Sequence, residues 1–376
     1  MRVLILYAGY ISRISGTSER VFQISRGLAN HGVQVILSGA VRSYSKQLNR
    51  NLHLIAMPNR VSKLLDIVNW IIKLIIHGFI NRYDVAQIES FSPFRTLLLL
   101  ILLHPFSRRV ITVFHDRVFK HNPKGSVLGL IRLALVRILL ALSDASITPG
   151  LSVKRFFEEL YGESACKKIV VIPNGVPSLN VKNDIYIRRK YGFNLDVFIV
   201  LFFGSMDFKP NYDAALFLYE KSSFISTKFK EITGRKLVFI VAGIGSSFLP
   251  KSEHFIPLGF ISDLNELLSL PNVIVLPHVP SHSGPHVKTI YAFFSRKPVI
   301  ATDDAVKDLP YVTPGKHFLL FNINKPETLL EALINLYSNK DLVKNLVSNA
   351  YIYSNKFSWS YISRIHLSLY VKLLQY

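Results

Sequence analysis

With a single cysteine, Cys166, the 376-residue chain can form no internal disulfide and no cysteine-based metal cluster. That fits a reducing, cytoplasmic setting. Carboxylates are also scarce. The 24 Asp and Glu face 45 Lys and Arg, for a formal net charge of +21, so anionic partners are expected. No apolar run approaches the ~20 residues of a membrane-spanning helix; the longest, Leu97–Leu103, is a short LLLLILL. Cofactor signatures are missing as well. No G-x-G-x-x-G follows the first strand-like segment, and Gly125-Ser126 stands without the rest of a Walker loop. Gly243-Ile244-Gly245 lacks a third glycine and reads as a tight turn. No D-x-D occurs, and adjacent Asp303-Asp304 suits a loop or helix cap better than a chelate. Neither a metal nor a bound cofactor is expected. Zinc-finger spacing, an aromatic RNP-like pattern and long Lys/Arg blocks are absent too, which makes nucleic acid the weakest of the anionic partners. The opening MRVLILYAGY has one early Arg and no cleavage-site pattern, so it reads as a core strand and not as a secretion signal.

What is present is a regular alternation. β-Branched, apolar runs at residues 2–8, 33–37, 53–57, 85–88, 110–114, 145–148 and 169–172 are separated by helix-periodic segments. Pro173-Asn174-Gly175-Val176-Pro177 breaks the pattern, and the polar stretch that follows reads as a linker over 178–194. A second alternation runs through 197–203, 237–241, 273–276 and 299–301. The expected fold class is α/β: two Rossmann-like, doubly wound parallel-sheet domains facing a cleft. They would span 1–177 and 195–356, with a last helix in 357–376 returning to the first domain.

Val273–Thr302 is the most informative segment. VIVLP and PVIAT read as buried strands on either side of a small-residue loop and a helix. Ser283 or Gly284 can cap that helix and Pro285 suits its first turn. His286 and Lys288 then fall where the helix dipole disfavours cations. A helix N-terminus that also carries positive charge suits a phosphate or diphosphate; an ordinary strand–loop–helix with an exposed lysine is the alternative.

Three segments of the first half are unusually apolar. From Ser62 to Arg82 the polar residues Lys63, Asp66, Asn69, Lys73, His77 and Asn81 make one narrow stripe, leaving an apolar face wider than packing on one sheet requires. Ser126–Leu142 sets Arg132 and Arg137 among aliphatic residues, and Arg108-Arg109 closes the LLLLILL run. Two readings stand. One is an anchor lying on an anionic membrane surface; the other is helices buried against a sheet, with cations snorkelling out.

Four motifs fall in order on these elements: VIPNGV at 171–176, GSMDFKPN at 204–211, SGPHVKTIYAF at 283–293, and Phe357-Ser358-Trp359 before the last helix. Together they resemble nucleotide-sugar glycosyltransferases of the GT-B fold, over nearly the whole chain. The nearest group is group 1, family four, which includes retaining bacterial mannosyl- and glucosyltransferases. The resemblance implies hexose transfer from a nucleoside diphosphate sugar, without metal, to a glycan or lipid-linked acceptor bound by the first domain. Combined with the apolar segments, it implies a cytoplasmic protein peripheral on the inner membrane face. It carries His115, at the end of VITVFHD, to the position facing the reacting sugar, and Lys288 to the cation holding the diphosphate. A core histidine bonded to Asp116 is the alternative for His115. Gly16, in Ser15-Gly16-Thr17, takes the place of the family's glycine-rich loop. Gly204, Ser205, Lys209, Ser283, Gly284, His286 and Tyr291 complete the implied donor site. The chain departs from the pattern at three places. Ser205 stands where many members have Arg, and Ser283 and Tyr291 stand at the two positions usually held by glutamate. These departures leave a second function open, a degenerate GT-B protein that binds glycan or lipid without catalysis. A nucleotide-sugar epimerase is a weaker rival, with no use for a lipid-facing acceptor domain.

Overall fold

The computed structural model describes the chain except residues 12–15, 42–49, 57–63, 91, 116–126, 178, 182–184, 279–286 and 376, and gives only backbone for 8–11, 16, 40–41, 56, 64–67 and 90. Of the anticipated site residues, Ser283, Gly284 and His286 lie outside the described residues, as does Asp116.

The chain divides into two compact units. In the first, the elements run β1 (Arg2–Ile11), α1 (Gly16–Asn30), β2 (Gln34–Val41), β3 (Leu52–Ala56), α2 (Leu64–Asn81), β4 (Tyr83–Ser90), α3 (Pro93–Leu103), β5 (Ser107–Phe114), α4 (Val127–Leu142), β6 (Ala145–Thr148), α5 (Leu151–Tyr161) and β7 (Ile169–Val171). The strands form one parallel sheet of order β3-β2-β1-β4-β5-β6-β7. β1 shows why its sequence is an unbroken apolar run. Val3 and Ile5 point into one core with Val21, Ile24 and Leu28 of α1. Leu4 and Leu6 point into a second core with Trp70 and Leu74 of α2, Leu99 and Leu100 of α3, and Val136 and Leu139 of α4. A strand covered by helices on both faces cannot alternate polar with apolar residues.

The second unit holds α6 (Ile185–Lys190), β8 (Phe198–Phe203), α7 (Lys209–Thr233), β9 (Leu237–Ala242), β10 (Phe255–Gly259), α8 (Leu264–Ser269), β11 (Val273–Leu276), α9 (Val287–Phe294), β12 (Val299–Ala301), α10 (Asp303–Val306), β13 (Leu319–Leu320), α11 (Glu327–Ser338) and α12 (Lys340–Ser354). Its parallel sheet runs β10-β9-β8-β11-β12-β13. The segment read as a linker contains α6, and Leu179, Val181, Ile187, Tyr191 and buried Phe193 pack on this unit's core. Polar composition hid a short amphipathic stretch there.

α13 (Trp359–Gln375) belongs to the first unit and lies along α1. The approach is close. A Cβ added at Gly27 of α1 would fall 1.8 Å from Ser363 Oγ, and one at Gly175 would fall 2.4 Å from the Trp359 ring. Glycine at these two positions lets the last helix seat. Both sheets reverse their strand order next to the first strand, at β1/β4 and at β8/β11. Open α/β sheets of this kind bind ligands at the carboxyl ends of those strands.

Candidate functional site

At the carboxyl end of β8 the backbone turns at Gly204, whose φ of +155 disfavours any side chain. A Cβ there would also fall 2.7 Å from Lys288 Nζ and 2.8 Å from Asn211 Nδ2. Gly243 after β9 is equally constrained, because its Cβ would fall 1.9 Å from the Gly204 carbonyl oxygen. Space is thus kept clear around one cation. Lys288, in the first turn of α9, donates from Nζ to Asn211 Oδ1 at 2.5 Å and lies 4.8 Å from the centre of the Phe202 ring. Asn211, in the first turn of α7, donates in turn to the Ser205 carbonyl at 2.7 Å. Burial lowers the Lys288 ammonium from 10.5 to about 7. Among the described residues no carboxylate is paired with it, so its charge is poised to be restored by an anion. His278, just past β11, is buried against the other side of this cluster, with its ring 6.0 Å from that of Phe202.

The structure therefore brings Gly204, Ser205 and Lys288 together, and adds Asn211, Phe202 and His278. It does not bring in Lys209, whose Nζ is held by both Asp213 oxygens at 2.9 and 3.0 Å on the surface. Tyr291 lies one turn further along α9, half-buried against the core. The i, i+4 spacing of Lys209 and Asp213 was a legible sign of a helix-surface pair.

In the first unit, Gly16 opens α1 and His115 follows β5. His115 Nε2 donates to Glu89 Oε2 at 2.6 Å, and Glu89 is fully buried at the end of neighbouring β4. Glu89 Oε1 accepts from Gln87 Nε2 at 2.6 Å, and Gln87 Oε1 accepts from the Tyr370 hydroxyl at 2.6 Å. Tyr370 meets His366 Nδ1 at 3.3 Å, and His366 Nε2 lies 3.4 Å from Arg20 Nη2. Arg20 also donates to the carbonyls of Ile172 and Pro173 and to Asn174 Oδ1, in the VIPNGV segment. The donors assign themselves. Arg20 can only donate, so His366 Nε2 accepts and its Nδ1–H faces Tyr370. The chain then runs through Gln87 to the carboxylate, which fixes the proton on His115 Nε2.

The charges agree with that order. Burial alone would raise the Glu89 carboxyl, but the hydrogen bond and charge of His115, with Arg20 and Gln87, outweigh it and hold the group below the ordinary carboxylate value. Burial, then Arg20, pushes His366 well below the usual imidazole value, leaving it neutral. Burial, then Glu89, raises Tyr370, so its hydroxyl keeps its proton. His115 is thus a histidine oriented through its ring nitrogen by a buried carboxylate, the arrangement that fixes tautomer and direction in catalytic imidazoles.

Apolar side chains also gather on one side of this unit. α3 contacts both α2 and α4. The three helices expose Val68, Ile72, Ile76, Phe79 and Ile80; Phe94, Leu98 and Ile101; and Val127, Leu128, Leu130, Ile131, Ile138 and Leu142. Phe79 is 78% and Val127 73% exposed, so the wide apolar stripes are only partly used in packing. Arg109, by contrast, is engaged by the Leu373 carbonyl and Asp144. Among the described residues no helix is long and apolar enough to cross a membrane, and no three His, Cys, Asp or Glu converge as metal ligands.

Comparison with known proteins bears on these two clusters. Residues 14–178 match the model of Glycosyltransferase Family 4, and residues 197–339 match that of Glycosyl transferases group 1. A comparison with curated proteins returns no sequence match. Among solved structures the chain is similar to a glycosyltransferase from Rickettsia africae, with 18% identity, a TM-score of 0.71, and 99% and 98% of the two chains covered. It is similar to sucrose-phosphate synthase from Thermosynechococcus elongatus at 17% identity, TM-score 0.67, covering 100% and 99%. It is also similar to HepE of Anabaena in complex with UDP-glucose at 16% identity, TM-score 0.66, covering 99% and 100%. Between them the two family models take in both parallel-sheet units and most of the sequence, and the chain belongs to the GT-B glycosyltransferases of group 1, family 4.

Proposed function

We propose that the protein transfers a hexose, with retention of anomeric configuration, from a nucleoside diphosphate sugar to a lipid-linked or glycan acceptor at the cytoplasmic face of a membrane. The observation that carries this reading is Lys288. A half-buried ammonium stands over cleared backbone at the carboxyl end of a parallel sheet, without a carboxylate partner among the described residues. A diphosphate would supply the missing charge. As the bond between the sugar C1 and the diphosphate oxygen breaks, negative charge grows on the leaving group, and Lys288 is placed to neutralise it without a metal. Asn211 holds the ammonium in position and Gly204 leaves room for phosphate oxygens. UDP and UDP-glucose are bound by the Anabaena neighbour, which makes UDP sugars the first donors to try. His115, held by Glu89, would hydrogen-bond the reacting sugar or orient the acceptor hydroxyl, whose proton passes to the departing diphosphate oxygen as the new glycosidic bond forms. The exposed apolar surface of α2, α3 and α4, with Lys73, Arg95 and Arg137 exposed among it, suits insertion at an anionic interface.

The test is a donor panel of UDP-, GDP- and ADP-sugars, assayed for nucleoside diphosphate release with and without membrane-lipid extract. Lipid-dependent release from one donor, abolished by Lys288→Ala and strongly reduced by His115→Ala, supports the transferase. A second reading, binding without catalysis, is favoured by Ser205 and by the engagement of Lys209 with Asp213, which leave Lys288 as the lone cation of the described donor cluster. Absence of release and of donor binding across the panel would select it.

A further inference from the structure

At the opposite ends of the second sheet, where β8, β11 and β12 begin, lies a cavity of about 490 Å³ lined by Arg188, Arg296, Lys297, Lys340, Lys344 and Asn272, among others. Among the described residues that line it, five are cationic and none is a carboxylate. Lys297 is only 8% exposed, with Nζ 3.5 Å from the Ser269 carbonyl oxygen. Arg188 forms the inner wall, donating to the Leu270 carbonyl at 3.1 Å and to Asn272 Oδ1 at 2.7 Å. The guanidinium of Arg296 stacks 4.1 Å above the Tyr351 ring, its backbone held at a φ of 57, unusual for a side-chain-bearing residue. Lys340 and Lys344 stand on the first turns of α12 at the rim.

Carbonyl groups at the end of α8 account for Arg188 and Lys297 as structural cations. They do not account for three more around the same opening. Like charges so gathered repel one another. Burial, with Arg188 nearby, indeed lowers Lys297 to about 8. A bound anion would relieve that repulsion.

We infer that this cavity is a second anion-binding site, separate from the Lys288 cluster, and that it takes a small phosphate ester of about monosaccharide size. The volume falls within the usual range for small-ligand pockets. Arg296 offers a forked donor, the lysines point charges and Arg188 a fixed positive wall, a combination suited to a phosphate dianion. Aliphatic walls at Ile185, Leu195 and Val343 can pack on the remainder of the molecule. The site is joined to the Lys288 cluster by one short element, since α9 carries Lys288 in its first turn and Arg296-Lys297 follow its end after Ser295.

Isothermal titration with glucose 6-phosphate, and with inorganic phosphate, at constant ionic strength tests this. Wild-type protein and Lys288→Met should show saturable one-to-one binding of equal affinity. A Lys340→Glu/Lys344→Glu variant, altered only at exposed positions, should bind at least about tenfold more weakly. Lys297→Met should weaken binding similarly while keeping the wild-type melting temperature or exceeding it. A further arm uses phosphatidic acid vesicles. Retention there without binding of soluble esters, lost in the double reversal, would support the phosphate chemistry and assign it to a lipid headgroup. Absence of saturation up to about 10 mM in every arm overturns the site. So does undiminished affinity in the double reversal, and so does loss of binding in Lys288→Met, which would place the ester at the donor cluster.

Discussion

Lys288 should take up a proton when a nucleoside diphosphate binds. In the free protein its ammonium lies at about 7 instead of 10.5, so at pH 8 only about a tenth of molecules carry the charge. A diphosphate is fully ionised at that pH and stabilises the charged form. Each binding event should then draw in about 0.9 proton at pH 8 and about 0.5 at pH 7. Titrating UDP into the protein in two buffers of different ionisation enthalpy measures this number directly. Lys288→Met keeps the length of the side chain and removes the titration, so uptake should fall towards zero and affinity by roughly 2–5 kcal/mol. Stability carries the same signature, with a definite sign. The folded value lies below the unfolded one, so between about pH 7 and 10.5 the unfolded chain holds more protons, and wild-type stability rises with pH across that window. Below it the penalty is fully present, at most roughly 5 kcal/mol because Asn211 and partial solvent access relieve some of it. Ligand-free Lys288→Met should therefore be the more stable protein at pH 6 and lose the slope. Tight UDP binding with no buffer-dependent heat would refute the reasoning, since Lys288 would then be charged before the ligand arrives or would never meet it.

Other substitutions test the remaining links. Glu89→Gln preserves shape but replaces the carboxylate that orients His115; turnover should drop about 10²-fold or more with little change in donor affinity, read as kcat against KM. Gly204→Ala forces a methyl against Lys288 Nζ and Asn211 at a φ of +155, and should weaken UDP binding by about 1–3 kcal/mol in titration. Gly27→Val should lift α13 from α1 and cost about 1–3 kcal/mol of stability in denaturant unfolding, more than the same change at exposed Gly32 would through packing. Phe79→Glu combined with Val127→Glu should abolish sedimentation with anionic vesicles while leaving UDP binding intact.

Much of the fold was legible because its strands are buried on both faces and so appear as unbroken aliphatic runs. Strand β10 escaped notice because FIPLG lies at a sheet edge, half-exposed, where proline and glycine are tolerated. β13, with two residues, carries no pattern at all. The Lys288 cluster was partly readable, since a glycine after a strand and a cation in a helix's first turn are both locally odd choices. Asn211 was not, because an asparagine near a helix start looks like any other.

The relay behind His115 was the least legible part. Arg20 sits next to Val21 and Ile24 on the buried face of α1, and its partner His366 lies 346 residues away. Glu89 and Gln87 end an ordinary strand, and Tyr370 belongs to a helix whose role only the fold reveals. Each is costly alone in a core and reasonable only as a set, because the members bond one another in sequence and the one full negative charge is shared between Arg20 and His115. Such a set has no local spacing to betray it. Its existence also gives α13 a role beyond packing. The helix that closes the chain completes the hydrogen-bond line that aims the imidazole, so loosening α13 should disorient His115 as well as weaken the unit.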